Sequence, residues 1–292
     1  MSQPSLNTSS NRTGIDLLVG LCGLTTSLVT AVILWWAEIR FGFAFYTWMF
    51  WFIVPAGALL SGLAGASGYY AGARIFNHRP TPLMLLNVLL ASVGTFFTIY
   101  YLSYITLEVQ GKAISDYVTF GQYLDIAIRS TSLVFRSRST EIGATGELGG
   151  LGYGVAILQI LGFAVGGLVL YRYLVSVPYC ERCSRYFSRK GKQVRYTGDA
   201  EGLEASTVQI FSDFSEGAIA SAIEKHRTFG SPTFLRGKHL RSMIVVRHCK
   251  NCGQHWVKYV VEKRRGNDWG GIPELTTDGF TDQVVDIREA HR

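Results

Sequence analysis

Ionisable side chains are missing from the middle of every long apolar run in this 292-residue chain. Ion-coupled carriers place such groups at mid-depth because the coupling depends on them, so their absence argues against a proton- or ion-coupled transporter. The deepest polar side chains are Asn87 and Gln159, with Ser and Thr, and these suit contacts between helices. The glycine-rich stretch 140–154 lacks the Gly-Lys-Ser/Thr ending and the preceding strand of a phosphate-binding loop, which argues against nucleotide binding. No nucleophile–base or paired-carboxylate arrangement stands out, so an enzyme is not expected. Only Arg12 precedes the first apolar run, and no small-residue cleavage site follows it, so that run reads as a retained span.

What is present divides at about residue 176. Up to Ser176 the chain carries 9 Lys/Arg and 7 Asp/Glu, mostly between apolar runs, whereas 19 and 14 follow from Val177 onward. The expected organisation is therefore a membrane domain over 1–176 and a water-soluble domain over 177–292. A helix needs roughly 20 mostly apolar residues to cross the hydrocarbon core. Four segments meet that length, at about 15–37, 43–71, 83–104 and 151–174, so the expected fold is an α-helical bundle of four transmembrane helices. Pro55 is expected to kink the second span by removing a backbone donor.

Charge asymmetry sets a direction. Arg74 and Arg79 lie in the short link between spans two and three, and Arg172, Arg182, Arg185, Arg189, Lys190, Lys192 and Arg195 crowd the exit of span four. Basic flanks stay cytoplasmic, which places both termini there, in a cell (plasma or inner) membrane. The same cluster would attract anionic headgroups. Nucleic acid is a weaker partner, because the basic residues hug the membrane exit. The link 105–150 then faces outward. Within it, 114–129 reads as an interfacial helix that places Tyr117, Phe120, Leu124, Ala127 and Ile128 on one broad face, and the glycine-rich stretch after it reads as a flexible hinge. Trp35, Trp36, Trp48, Trp51, Tyr100, Tyr101 and Tyr104 would form the outer aromatic belt.

Small residues at four-residue spacing recur in span two (Gly57, Ser61, Gly65) and span four (Gly162, Gly166). They imply close helix contacts, either between these two spans or between copies in a homo-oligomer.

Beyond the last span, Cys180-Glu-Arg-Cys183 has a counterpart in Cys249-Lys-Asn-Cys252. Two C-x-x-C turns supply the four thiolates of a closed tetrahedral zinc site. The expected metal ligands are Cys180, Cys183, Cys249 and Cys252, with structural Zn2+ as the cofactor. A redox pair would need an activated thiolate, commonly at a helix start, and the cytoplasm keeps thiols reduced. A catalytic zinc would leave one position open, for which His248 and His255 are at hand, but four cysteines already close the set. Cys22, alone in span one, reads as a small apolar residue.

Runs 241–247 and 255–261 are β-branched or aromatic and read as a hairpin with the second turn at its tip. Residues 185–187 and 193–196 read as a second hairpin around Arg189-Lys-Gly-Lys192. In these features the segment resembles the zinc-ribbon group of metal-binding domains, over about 177–195 and 241–262. Sixty-five residues, Ser184 to His248, separate the pairs, where about 15–20 is usual. The interval reads as an inserted helix capped by Asp213 and Glu216 and ended by Gly230 and Pro232, and the final acidic stretch as a tail. Metal would supply folding free energy to so small a domain.

The expected role is a membrane-anchored interaction, adaptor or regulatory protein with a cytosolic protein partner. The alternative is a small oligomeric channel or transporter regulated by its zinc-binding part.

Overall fold

The computed structural model describes residues 8–50, 53–137, 140–234 and 237–283. The chain forms two compact units, Met1–Ser176 and Val177–Arg292.

In the first unit, helices α1 (Thr8–Phe41), α2 (Ala56–Ile75), α3 (Pro82–Thr106) and α5 (Leu151–Val175) make the bundle. Among the described residues three helices are long and apolar enough to cross a membrane: Gly14–Phe41, Pro82–Thr106 and Leu151–Val175. Leucines 17, 21, 24 and 28 of α1, Leu83, Leu86 and Leu90 of α3, and Ile157, Leu161 and Val165 of α5 all point outward. An exposed apolar surface on this scale suits lipid rather than water.

The remaining expected span, about 43–71, is not among these three. The second span does not begin at Phe43. A single 3-10 turn, Phe45–Thr47, and a Phe50–Val54 bridge precede it, and Pro55 is the N-cap of α2 rather than a kink within it. Proline fits a helix start because the N–H it lacks would have had no intrahelical partner. The helix itself is built largely from Gly, Ala and Ser, and ten of its 20 residues are buried.

That composition lets neighbouring backbones lie directly against α2. A Cβ at Gly62 would meet the Phe163 carbonyl of α5, one at Gly166 the Leu59 carbonyl, and one at Gly68 the Cys22 carbonyl of α1. Thr26 and Ser27 of α1 donate to the Gly65 carbonyl at 2.7 and 3.1 Å. The expected contact of spans two and four thus occurs, but through Pro55, Ala58, Leu59, Gly62 and Leu63 facing Gly162, Phe163 and Gly166. Gly57 abuts the 3-10 turn, Gly65 faces Thr95 and Ser27, and Ser61 is buried, so these small residues are enclosed within one chain. Cys22 packs against Gly72, and Gln159 is buried in α5.

Between α3 and α5 lie a short hairpin β1–β2 (Glu108–Val109 and Lys112–Ala113), helix α4 (Phe120–Arg129) and a second hairpin β3–β4 (Ser132–Ser137 and Thr140–Glu147). Thr119 and Gln122 form a reciprocal capping box that fixes the start of α4. Its buried residues are Tyr123 and Ile128, with Leu124 against the bundle core, whereas Tyr117 is exposed. The stretch expected as a flexible hinge is instead the strand β4. Trp51 lies outside the described residues.

The second unit is an antiparallel sheet covered on one face by helices. Short strands β5 (Tyr179–Cys180) and β6 (Arg185–Tyr186) pair with each other. Strands β7 (Ser188–Thr197), β8 (Leu240–His248), β9 (His255–Arg265) and β10 (Asp268–Thr281) form a sheet in the order β10-β9-β8-β7. Helices α6 (Ala200–Ser215) and α7 (Ile219–Thr228) enter between β7 and β8. Leu203, Ile210, Ile219, Ala222 and Ile223 from the helices bury Ile244, Val246, Val257, Tyr259 and Val261 from the sheet. Fully buried His226 lies within 3.0 Å of Gln193 Oε1 and of Ser242 Oγ.

Three expectations change here. The insertion is two helices, and its cap is Asp199, which accepts from Gly202 N at 3.0 Å. Asp213 and Glu216 sit at the end of α6, where Gly217, at φ +75°, turns the chain into α7. Arg189–Lys192 is not a turn, because β7 runs through it with a register shift between Arg189 and Gly191. The acidic stretch supplies β10, an edge strand, up to Thr281, while Asp286 and Glu289 lie outside the described residues.

Candidate metal centre

Each cysteine pair sits where a strand pair closes. In the first, Cys180 pairs with Arg185 across β5–β6, and Ser184, at φ +50°, tightens the turn after Cys183. In the second, His248 pairs with His255 at the tip of β8–β9. There Cys249 N donates to the Gln254 carbonyl at 2.8 Å and Gly253 N to the Cys249 carbonyl at 3.0 Å. Gly253 has φ +77°, a conformation that glycine adopts without steric cost. Phe187, fully buried, forms the floor with Cys180 and Cys249, and Trp256 packs beside them.

The four sulfurs lie within 4.8 Å of one another, and Cys180 Sγ is 3.6 Å from Cys252 Sγ. A disulfide would require about 2.05 Å, and all five cysteines are free. Four thiolates around one ion at bonds of about 2.3 Å define a tetrahedron with edges near 3.8 Å, so the donor set fits a metal. Two ligands are buried, one is half-buried and one is exposed. Among the described residues this is the only group of three or more His, Cys, Asp or Glu placed to hold an ion.

The surroundings act unequally on the thiols. Asn251 Nδ2 donates to Cys183 Sγ at 3.4 Å. Burial pushes the Cys180 thiol up to about 12, against the pull of the Cys183 N–H. At Cys249 burial also pushes up, but the N–H groups of Cys252 and Asn251, together with the Cys252 and Cys180 thiols, outweigh it and bring the group to about 7. One thiol of the cluster thus ionises readily while its neighbour keeps its proton, so a metal entering the cluster must displace protons.

All four cysteines expected as ligands converge, and His248 and His255 take other positions. Their rings are 6.3 Å apart, and His255 Nε2 lies 2.9 Å from Lys190 Nζ. The spacing alone did not single out Asn251, Gln254 or Phe187. Gln254, whose Oε1 is 3.7 Å from Cys180 Sγ, joins the two pairs. Its position directly after the second turn was the only available signal.

Comparison with known protein families, with curated proteins and with solved structures yields no match to this chain.

Proposed function

We propose that the chain is a multi-pass membrane protein whose soluble unit carries structural zinc on Cys180, Cys183, Cys249 and Cys252. It serves as a membrane-anchored interaction or regulatory module rather than as an enzyme. The convergence of four sulfurs from two strand closures far apart in sequence carries this proposal. A four-thiolate set closes a tetrahedral zinc site and leaves no position for a reacting water. The two turns with one shared metal are also the features in which the segment resembles a zinc ribbon.

Helix α2 completes a fourth crossing. Its 20 residues span about 30 Å, the thickness of the hydrocarbon core. Because α1, α3 and α5 pack against it, its small residues meet protein more than lipid. Four crossings put the N-terminus, the link with Arg74 and Arg79, and the basic segment from Arg172 to Arg195 on one side, the cytoplasm.

Cross-linking in intact membranes tests the role. The wild-type chain should give a discrete adduct with a cytosolic protein that Cys249→Ser loses, and a reporter fused after Arg292 should report the cytoplasm. Bilayer conductance that scales with the amount of purified chain, with no such adduct, would favour the channel alternative.

A further inference from the structure

A groove of about 580 Å³ runs between α1 and α3, from Asp16 and Leu83 at one end to Leu28 and Thr98 at the other. At 1.5 Å per residue it extends about 20 Å along the two helices, enough to cover one leaflet of a hydrocarbon core about 30 Å thick. Its walls are leucines 17, 21, 24 and 28 from α1 and Leu90 from α3. Away from the Asp16 end three hydroxyls also line it, and each already has an acceptor: Ser27 donates to the Gly65 carbonyl, Thr95 to Ala91 and Thr98 to Gly94. The long part of the groove therefore asks nothing polar of an occupant, which suits an aliphatic chain.

Polarity is confined to the Asp16 end. A small recess lined by Asp16, Tyr69, His78 and Asn87 adjoins the groove there. His78 Nε2 lies 2.6 Å from Asp16 Oδ1. Tyr69 donates to the Asn87 backbone carbonyl at 3.3 Å, leaving the Asn87 side chain to line the cavity. No Lys or Arg lines either cavity, and Asp16 is the one carboxylate. A head bearing an ammonium complements the second Asp16 oxygen, whereas an anionic head would meet a carboxylate that already engages His78, the one basic side chain lining the recess.

We propose that the α1–α3 groove binds one acyl chain of an ethanolamine-headed phospholipid, with the ammonium at Asp16. Lipid tails offer no hydrophobic gain over the bilayer itself, so selectivity rests on packing in the groove and on the charge-assisted contact at its head.

Two glycines allow a clean test. A Cβ added at Gly20 or Gly94 meets nothing within 4 Å, although both residues line the groove, so a leucine at either site fills it without disturbing the helices. Gly154 of α5 is equally open but lies outside the groove. The full-length chain is incorporated into nanodiscs with equal parts of ethanolamine-, choline- and glycerol-headed phospholipid, and retained lipid is read by native mass spectrometry. The wild-type and Gly154→Leu chains should retain the ethanolamine lipid roughly tenfold over the others, a margin in keeping with one charge-assisted hydrogen bond. Gly94→Leu and Gly20→Leu should both lose that retention while keeping the wild-type helical signal. Asp16→Asn should still hold lipid but with the head preference gone. Equal retention in wild type and both groove-filling variants would overturn the proposal. So would preference for the glycerol head, or a dimer that Gly94→Leu converts to monomer.

Discussion

In the helical unit, Gly62 and Gly166 let α2 and α5 lie backbone against backbone. In the second unit, Phe187 fills the space between two cysteine turns that have little other reason to meet. The first arrangement removes side chains, because dispersion and close approach are what hold helices in lipid. The second brings together a bulky floor and four sulfurs, because a short β5–β6 hairpin has no sheet to join. The second unit also has its own apolar core between α6–α7 and the four-stranded sheet, separate from the cysteine cluster. The proposed metal centre would therefore act as a local clamp, and among the described residues the bundle has no equivalent cluster.

The largest contrast should appear when metal is removed. Structural zinc in small domains is worth about 10–16 kcal/mol in apparent binding. Chelation of the full-length chain should abolish hydrogen-exchange protection over 179–187 and 249–256 and leave the centres of β8 and β9 protected. Loss of protection throughout the sheet would show that the clamp supports the whole unit, and no change would remove it from the account.

Overpacking should affect the bundle next most. Gly62→Leu forces a side chain into the Phe163 backbone and should cost about 3 kcal/mol or more, beyond the usual overpacking range because backbone cannot step aside. Gly154→Leu, facing open space, should unfold in detergent at the wild-type midpoint. Equal midpoints for the two variants would contradict the helix contact.

His226 sharpens the comparison on the side of the second unit, through pH. Burial, with the nearby Arg195 charge also acting, lowers its pKa from 6.5 to about 4, although a hydrogen bond from the ring to the Ser242 backbone opposes the shift. The unfolded chain binds a proton between those values that the folded chain refuses. Stability should therefore fall by roughly 3 kcal/mol as pH drops from above 6.5 to below 4. Denaturant titrations of wild type and His226→Gln across this window should differ in slope, and parallel curves would exclude the histidine as the cause.

The smallest effect belongs to the surface pair Arg182–Asp282, 3.1 Å apart with both side chains well exposed. Asp282→Asn should change stability by under about 1 kcal/mol, measured by the same titration.

Much of this was legible in the sequence where the signal was local. The C-x-x-C turns carry their geometry within four residues, so the convergence of Cys180, Cys183, Cys249 and Cys252 could be expected. Long leucine-rich runs likewise announced α1, α3 and α5. The α2 boundary was not legible, because Phe43–Val54 is as apolar as a span while Pro55 sets the helix start. Strand β10 was hidden by Asp268, Glu274 and Asp278, which read as a solvated tail but also suit an edge strand. Arg189–Lys192 looked like a turn because a bulge and a turn draw on the same residues. The place of Gln254 between the two cysteine pairs depends on strand pairing and could not be read from spacing.

The central claim is one metal ion held by four sulfurs. X-ray absorption at the zinc edge on the full-length purified chain, with metal content measured on the same sample, tests it most directly. One zinc per chain with four sulfur neighbours at about 2.3 Å is the expected result. A shell containing nitrogen or oxygen ligands, or a folded chain with no bound metal, would contradict it.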